Sequence, residues 1–189
     1  MNGRSTPSQT VGPFFSIGFS WLERTDLTEG AEKGERFTIH GRVLDGDGVP
    51  VPDALLEIWQ ADEEGRYAHP EDRAERMTGR KFFGFGRIPV NAQGEFRFTT
   101  IKPGAVPGPK GTGQAPHLVV SIFMRGLLKR LITRIYFLGD PANEADTVLA
   151  RVPPERRHTL VAKPDSHDKK TLVWDVHLQG HEETVFFEC

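Results

Sequence analysis

The sequence predicts an all-β domain, a β-sandwich of mixed sheets with long loops and one short helix. Three observations support this. Segments of five to seven residues alternate apolar and polar side chains, the period of a half-buried strand. Turn residues punctuate them, with 20 Gly and 14 Pro in 189 residues. Helical periodicity is almost absent.

The elements read in order as follows. Residues 1–35 form an N-terminal arm and linker expected to dock on a partner chain, and 36–189 form the domain. In the arm, Thr6-Pro7-Ser8-Gln9-Thr10 leads into Val11-Gly12-Pro13-Phe14-Phe15. Pro and Gly oppose regular structure there, and two adjacent phenylalanines need a surface to cover them. Phe37, Ile39, Gly41 and Val43 alternate with polar neighbours as a first strand. Ala54 to Gln60 is apolar on nearly both sides and reads as a central strand. Glu95 to Thr99 follows a turn at Asn91–Gly94. Residues 102–116, rich in Gly and Pro, form a long loop. His117–Phe123 and Leu131–Phe137 are two further strands. Pro153-Pro154-Glu155 begins the short helix, with Pro early and acid at the N-terminus. Leu172 to Leu178 alternates as a late strand, and Thr184–Phe187 is one more, its Val185, Phe186 and Phe187 suited to an interface.

Composition excludes several functions. A net charge of −2 gives no basic excess for nucleic acid. No stretch has the roughly 18–20 apolar residues of a membrane span. The first residues lack the apolar core of a secretion signal, and the single cysteine, Cys189, permits no intrachain disulfide. A cytoplasmic location is expected. The seven histidines form neither His-x-His nor His-Glu-x-x-His. His177 and His181 are four apart, but at a strand end. No Gly-x-Ser-x-Gly elbow occurs, and Gly108–Gly113 lacks the order of a phosphate loop. Asp62-Glu63-Glu64 reads as solvated charge.

One run is specific. Ile39-x-Gly41-x-Val43, Gly48, Val51, Leu56-Glu57-Ile58 and Gly65-x-Tyr67 match, position by position, the signature of the intradiol ring-cleavage dioxygenases. The chain resembles that family over nearly its whole length. The resemblance implies a β-sandwich and a site where two tyrosines and a His-x-His pair hold a ferric ion. Tyr67 and His117 fall on two of the four ligand positions. Valines, Val106 and Val119, fall on the other two. Ferric iron, a hard cation, needs several such donors at once. No metal site is therefore expected in this chain, and Tyr67 and His117 are read as relics, with a hydrogen bond between them expected.

The stretches Thr6–Phe14, Ala115-Pro116-His117 and Gly180–Phe187 resemble the iron-free chain of the family's two-chain members. That implies an Fe(III)-bearing sister chain of the same fold, a large hetero-oligomer and a small aromatic substrate. It also implies no catalytic residue in this chain. Thr10, Gly12 and Pro13 match an arm segment near the substrate, and Arg134 an arginine facing a substrate carboxylate. From its spacing, Arg134 suits either a surface ion pair beside Tyr136 or a bidentate carboxylate contact; the resemblance selects the second. Two other readings remain: a self-sufficient dioxygenase with substitute ligands, and a β-sandwich binding module without oxygenase chemistry.

Overall fold

A computed structural model describes residues 5–12, 14–31, 33–72, 82–108 and 111–188. Pro13 and Cys189 lie outside the described residues, as do positions 109 and 110 of the expected long loop.

Eleven strands are present among the described residues: β1 (Arg36–Leu44), β2 (Leu55–Trp59), β3 (Phe85–Pro89), β4 (Glu95–Ile101), β5 (Val106–Pro107), β6 (Gly113–Gln114), β7 (His117–Phe123), β8 (Leu131–Phe137), β9 (Val161–Pro164), β10 (Thr171–Val173) and β11 (Val176–His177). Strands β3-β2-β7-β8 form an antiparallel layer. Strand β8 pairs parallel with β9, β9 antiparallel with β10, and β10 parallel with β1, which also carries β4 and β11. The mixed, all-β architecture agrees with the expectation from the alternating segments.

Alternation fills the space between the layers. Leu56, Ile58, Ile88, Leu118, Val120, Ile122 and Ile135 point inward from the first layer, against Ile39, Val43, Phe96, Phe98, Leu172 and Trp174 from the second. Each such side chain contributes about 1.5–3 kcal/mol when fully buried. Behind β8, Tyr136 packs with Ala115, Leu149, Val152 and Leu160 in a smaller cluster.

The sheet is nearly closed by the arm. Arg24 exchanges both backbone hydrogen bonds with Arg87 of β3, at 2.9 and 3.2 Å. Just beyond it, Leu27 N–H donates to Thr99 O of β4, and Thr99 N–H to Thr25 O, both at 2.8 Å. Leu27 is buried in the core. Residues 24–27 thus bridge the β3 and β4 edges. Earlier in the arm lies a four-residue α-helix, α1 (Phe14–Ile17). Phe15 packs on Phe123, and the buried Arg87 guanidinium lies 4.7 Å and 5.1 Å from the centres of the Phe15 and Phe19 rings. Phe14, Ile17 and Trp21 remain 78%, 68% and 76% exposed.

Several local expectations are corrected. The helix expected from Pro153 is a 3₁₀ helix, Pro154–Leu160. The loop 102–116 contains the β5–β6 hairpin. Strand β3 has no alternation to read, because two glycines interrupt Phe82-Phe83-Gly84-Phe85-Gly86. The late strand splits into β10 and β11. Both keep one register on β1, but between them the Asp175 carboxylate accepts from Arg42 N–H at 2.8 Å. There the Trp174 carbonyl approaches so closely that a Cβ on Gly41 would lie 1.8 Å from it, which explains the glycine. Thr184–Phe187 is not a strand, and its Val185, Phe186 and Phe187 pack on this chain's own clusters.

Candidate functional site

The outward face of the β3-β2-β7-β8 layer carries the site. Cross-strand register lines up Phe85, Trp59, Val119 and Arg134 in one row. One step along β7 and β8, His117 faces Tyr136. The opposite step gives Arg87, Glu57, Ser121 and Ile132. In this last row Arg87 lies beneath Phe15 and Phe19 of the arm.

Tyr67 reaches the site from the loop after β2. Asp62 organises that loop: its carboxylate accepts from the N–H groups of Glu64 and Arg66, and its carbonyl from those of Gly65 and Gly104. Asp62 is buried, which corrects its reading as solvated charge. Gly65 has φ +78°, and a Cβ there would lie 2.0 Å from Ala105 O, so the loop docks on the β5 approach only through a glycine. The Tyr67 ring then stacks on Trp59, centroids 5.6 Å apart and planes at 18°. Tyr67, Trp59, Val106 and Pro107 line one cavity of about 920 Å³. Tyr67 and Val106 therefore share a cavity, and Val119 adjoins Trp59 in register.

His117 is buried and its Nδ1 lies 2.7 Å from Ala115 O. A carbonyl can only accept, so Nδ1 carries the proton and Nε2 the lone pair. Burial, then the charge of Arg134, pushes the imidazole pKa down to about 4, against smaller opposing effects from Ala115 O and Asp146. Burial raises the Tyr67 phenol, partly offset by Arg134, and raises Tyr136 to about 12. All three groups are neutral at pH 7. The expected hydrogen bond between Tyr67 and His117 is absent: among the described residues neither the Tyr67 hydroxyl nor His117 Nε2 has a hydrogen-bond partner.

Arg134 is half-buried among these groups. Its Nη1 donates to Gln114 Oε1 at 2.7 Å and to the Tyr136 hydroxyl at 3.3 Å, and that hydroxyl donates to Asp146 Oδ1 at 3.3 Å. Thr10 and Gly12 lie elsewhere. The Thr10 hydroxyl accepts from Gly126 N–H at 2.8 Å and donates to Met124 O at 3.4 Å, clipping the arm to the β7–β8 turn. Met124 is five residues beyond Val119, about 17 Å along an extended strand. The structure does not bring the arm segment and Arg134 together within this chain. Gly12 is exposed, with nothing within 4 Å of a Cβ built on it. His181 pairs with Glu182, not with His177. Trp59, Gln114 and Asp146 escaped the sequence reading. The only signal for any of them was the outward position of Trp59 at the end of β2.

The dioxygenase family profile matches residues 11–180. The protocatechuate 3,4-dioxygenase alpha chain of Burkholderia cepacia is 40% identical, with 98% of each chain covered. The chain belongs to the intradiol ring-cleavage dioxygenase family. The beta chain of the same enzyme is also 40% identical, over 73% of this chain and 62% of that one. Among solved structures, the dioxygenase domain of a carbohydrate-binding fusion protein from Streptomyces sp. SirexAA-E has a TM-score of 0.63 at 26% identity, covering 95% of this chain and 96% of that one.

The residues present do not fit the ferric ion of an intradiol site. Tyr67 and His117 supply one phenol and one imidazole; Val106 and Val119 supply no donor atom, and a guanidinium stands beside them.

Buried His117 makes stability depend on pH. Its folded pKa, about 4, lies below the ordinary 6.5. The unfolded chain therefore binds the proton first as pH falls, and stability present above pH 6.5 is lost progressively down to about pH 4. Urea unfolding from pH 7 to 4 is expected to show about 3 kcal/mol of loss from this group. His117→Asn removes that part of the pH dependence; an unchanged profile would mean that the imidazole is not buried neutral.

Proposed function

We propose that this chain is the iron-free alpha subunit of a protocatechuate 3,4-dioxygenase. With an iron-bearing beta chain it forms the enzyme that opens protocatechuate between its two hydroxylated carbons. Both atoms of O2 enter the product, 3-carboxy-cis,cis-muconate. The ferric ion, held by the partner, supplies activation of the chelated catecholate toward oxygen. This chain supplies half of the scaffold and part of the substrate pocket. The reading is carried by the mismatch at the site: an intact intradiol fold with valines at two ligand positions. Likeness to both alpha and beta chains supports a pair of related subunits. The exposed Phe14, Ile17 and Trp21 give the arm an apolar surface suited to a partner.

Iron analysis tests the reading directly. The chain expressed alone is expected to be colourless and iron-free. Co-expressed with the beta chain, it is expected to yield one ferric ion per pair and the visible absorption of tyrosinate–iron. A coloured, iron-loaded chain purified alone would overturn the assignment and favour self-sufficient catalysis.

Substrate contact is proposed for Thr10, Gly12 and Pro13 on the arm and for Arg134 on β8. Variants of the paired enzyme separate the two. Gly12→Val has open space in its own chain, so its stability should stay within about 0.5 kcal/mol of the parent. If the arm lines the partner's pocket, kcat/KM for protocatechuate should fall by about ten- to a hundredfold; an unchanged value would remove Gly12 from the pocket. Arg134→Ala is expected to lower kcat/KM for protocatechuate by about ten- to a hundredfold. Catechol lacks the carboxylate, and its turnover should fall much less. Equal losses would confine Arg134 to its own chain.

A further inference from the structure

A half-buried guanidinium on a central strand needs a compensating group, because desolvating an isolated cation is costly. Arg134 has an unusual set of neighbours. It donates to the neutral Gln114 and Tyr136, and among the described residues no carboxylate pairs with it. The side chains around it are donors of the kind that hold metal ions. His117 turns its lone-pair Nε2 away from Ala115, and Tyr67 and Tyr136 carry phenols within reach of its charge. Arg134 also sits directly opposite Val119 on the neighbouring strand. Directly opposed residues have Cβ atoms about 4.5–5.5 Å apart. Any side chain replacing Val119 would start beside this guanidinium.

We propose that Arg134 is a fixed cation standing in for the metal, and that it keeps iron out of this chain independently of the two missing ligands. The inference rests on the reading of this site as iron-free. Two separate barriers then exist. One is chemical: Val106 and Val119 offer no donor atoms. The other is electrostatic: a trivalent ion brought next to a guanidinium is repelled in proportion to the product of the charges, and the partly dry site screens that repulsion poorly. The guanidinium also satisfies, through Tyr136, part of the polar face that a metal would otherwise organise. Restoring Tyr at 106 and His at 119 should therefore not be enough to rebuild the site.

The test adds ligands with and without the charge. Three variants of this chain are co-purified with the beta chain: V106Y/V119H, V106Y/V119H/R134Q and V106Y/V119H/R134K. The beta chain's own iron provides the first equivalent per pair, and a second equivalent, with added tyrosinate–iron absorption, reports loading of this chain. Glutamine keeps a donor for Tyr136 without the charge; lysine keeps the charge. The glutamine variant is expected to take the second equivalent at least about a hundredfold more tightly than the other two. Should the glutamine variant fail to assemble, R134M in the same background supplies the neutral comparison. Equal loading of V106Y/V119H and its neutral derivative would overturn the inference, as would an assembled neutral derivative that stays empty. Loading of the lysine variant equal to the glutamine one would do the same. Iron in the unmodified chain would instead overturn the iron-free reading on which the inference stands.

Discussion

The burial of one face of β2, β7 and β8 in the core governs the rest of the molecule. Their inward side chains, from Leu56 and Ile58 to Leu118, Val120, Ile122 and Ile135, are all essentially inaccessible to water. A slip of one residue would exchange that face for Glu57, Trp59, His117, Ser121 and Arg134. The register is therefore fixed by the core. Once fixed, it dictates the outward rows, with Trp59, Val119 and Arg134 abreast and His117 facing Tyr136. The site is what the core leaves on its far side.

That far side is not a solvated sheet face. The β5–β6 hairpin brings Gln114 to Arg134, the Asp62 turn brings Tyr67 to Trp59, and the segments after β8 cover Tyr136. Partial exclusion of water sharpens each polar contact and raises the cost of each missing one. Asp146 shows how this is settled. It accepts from Ala115, Val148 and Leu149 N–H groups and from the Tyr136 hydroxyl, so one buried carboxylate ties the strand to two loops. Around Asp146 the polar layer is tied together by hydrogen bonds within the chain.

Strands β1 and β4 were legible in the sequence because buried side chains alternate with more exposed ones along them, and β7 and β8 because they are short runs rich in apolar and β-branched residues. Strand β3 was not, since its outward Arg87 is buried beneath Phe15 and Phe19, and no local pattern announces a cover supplied from 70 residues away. Tyr67, His117, Val106 and Val119 could be placed by resemblance to a motif. Their mutual arrangement could not, because it depends on a glycine-only approach between Gly65 and Ala105 and on a hairpin inside a stretch that reads as loop. Asp62 misled for a related reason: three consecutive acids look solvated until a turn directs backbone N–H groups at one of them.

The bridge made by residues 24–27 has a consequence for how such a chain survives synthesis. Strands β3 and β4 would otherwise present two free edges, each with unpaired N–H and C=O groups able to recruit strands from another molecule. Pairing through Arg24, Thr25 and Leu27 occupies both. The same segment that leads to the exposed aromatic arm thus serves as a guard against misassembly. A lesion there would be felt first as loss of protein to aggregates, before any question of turnover arose.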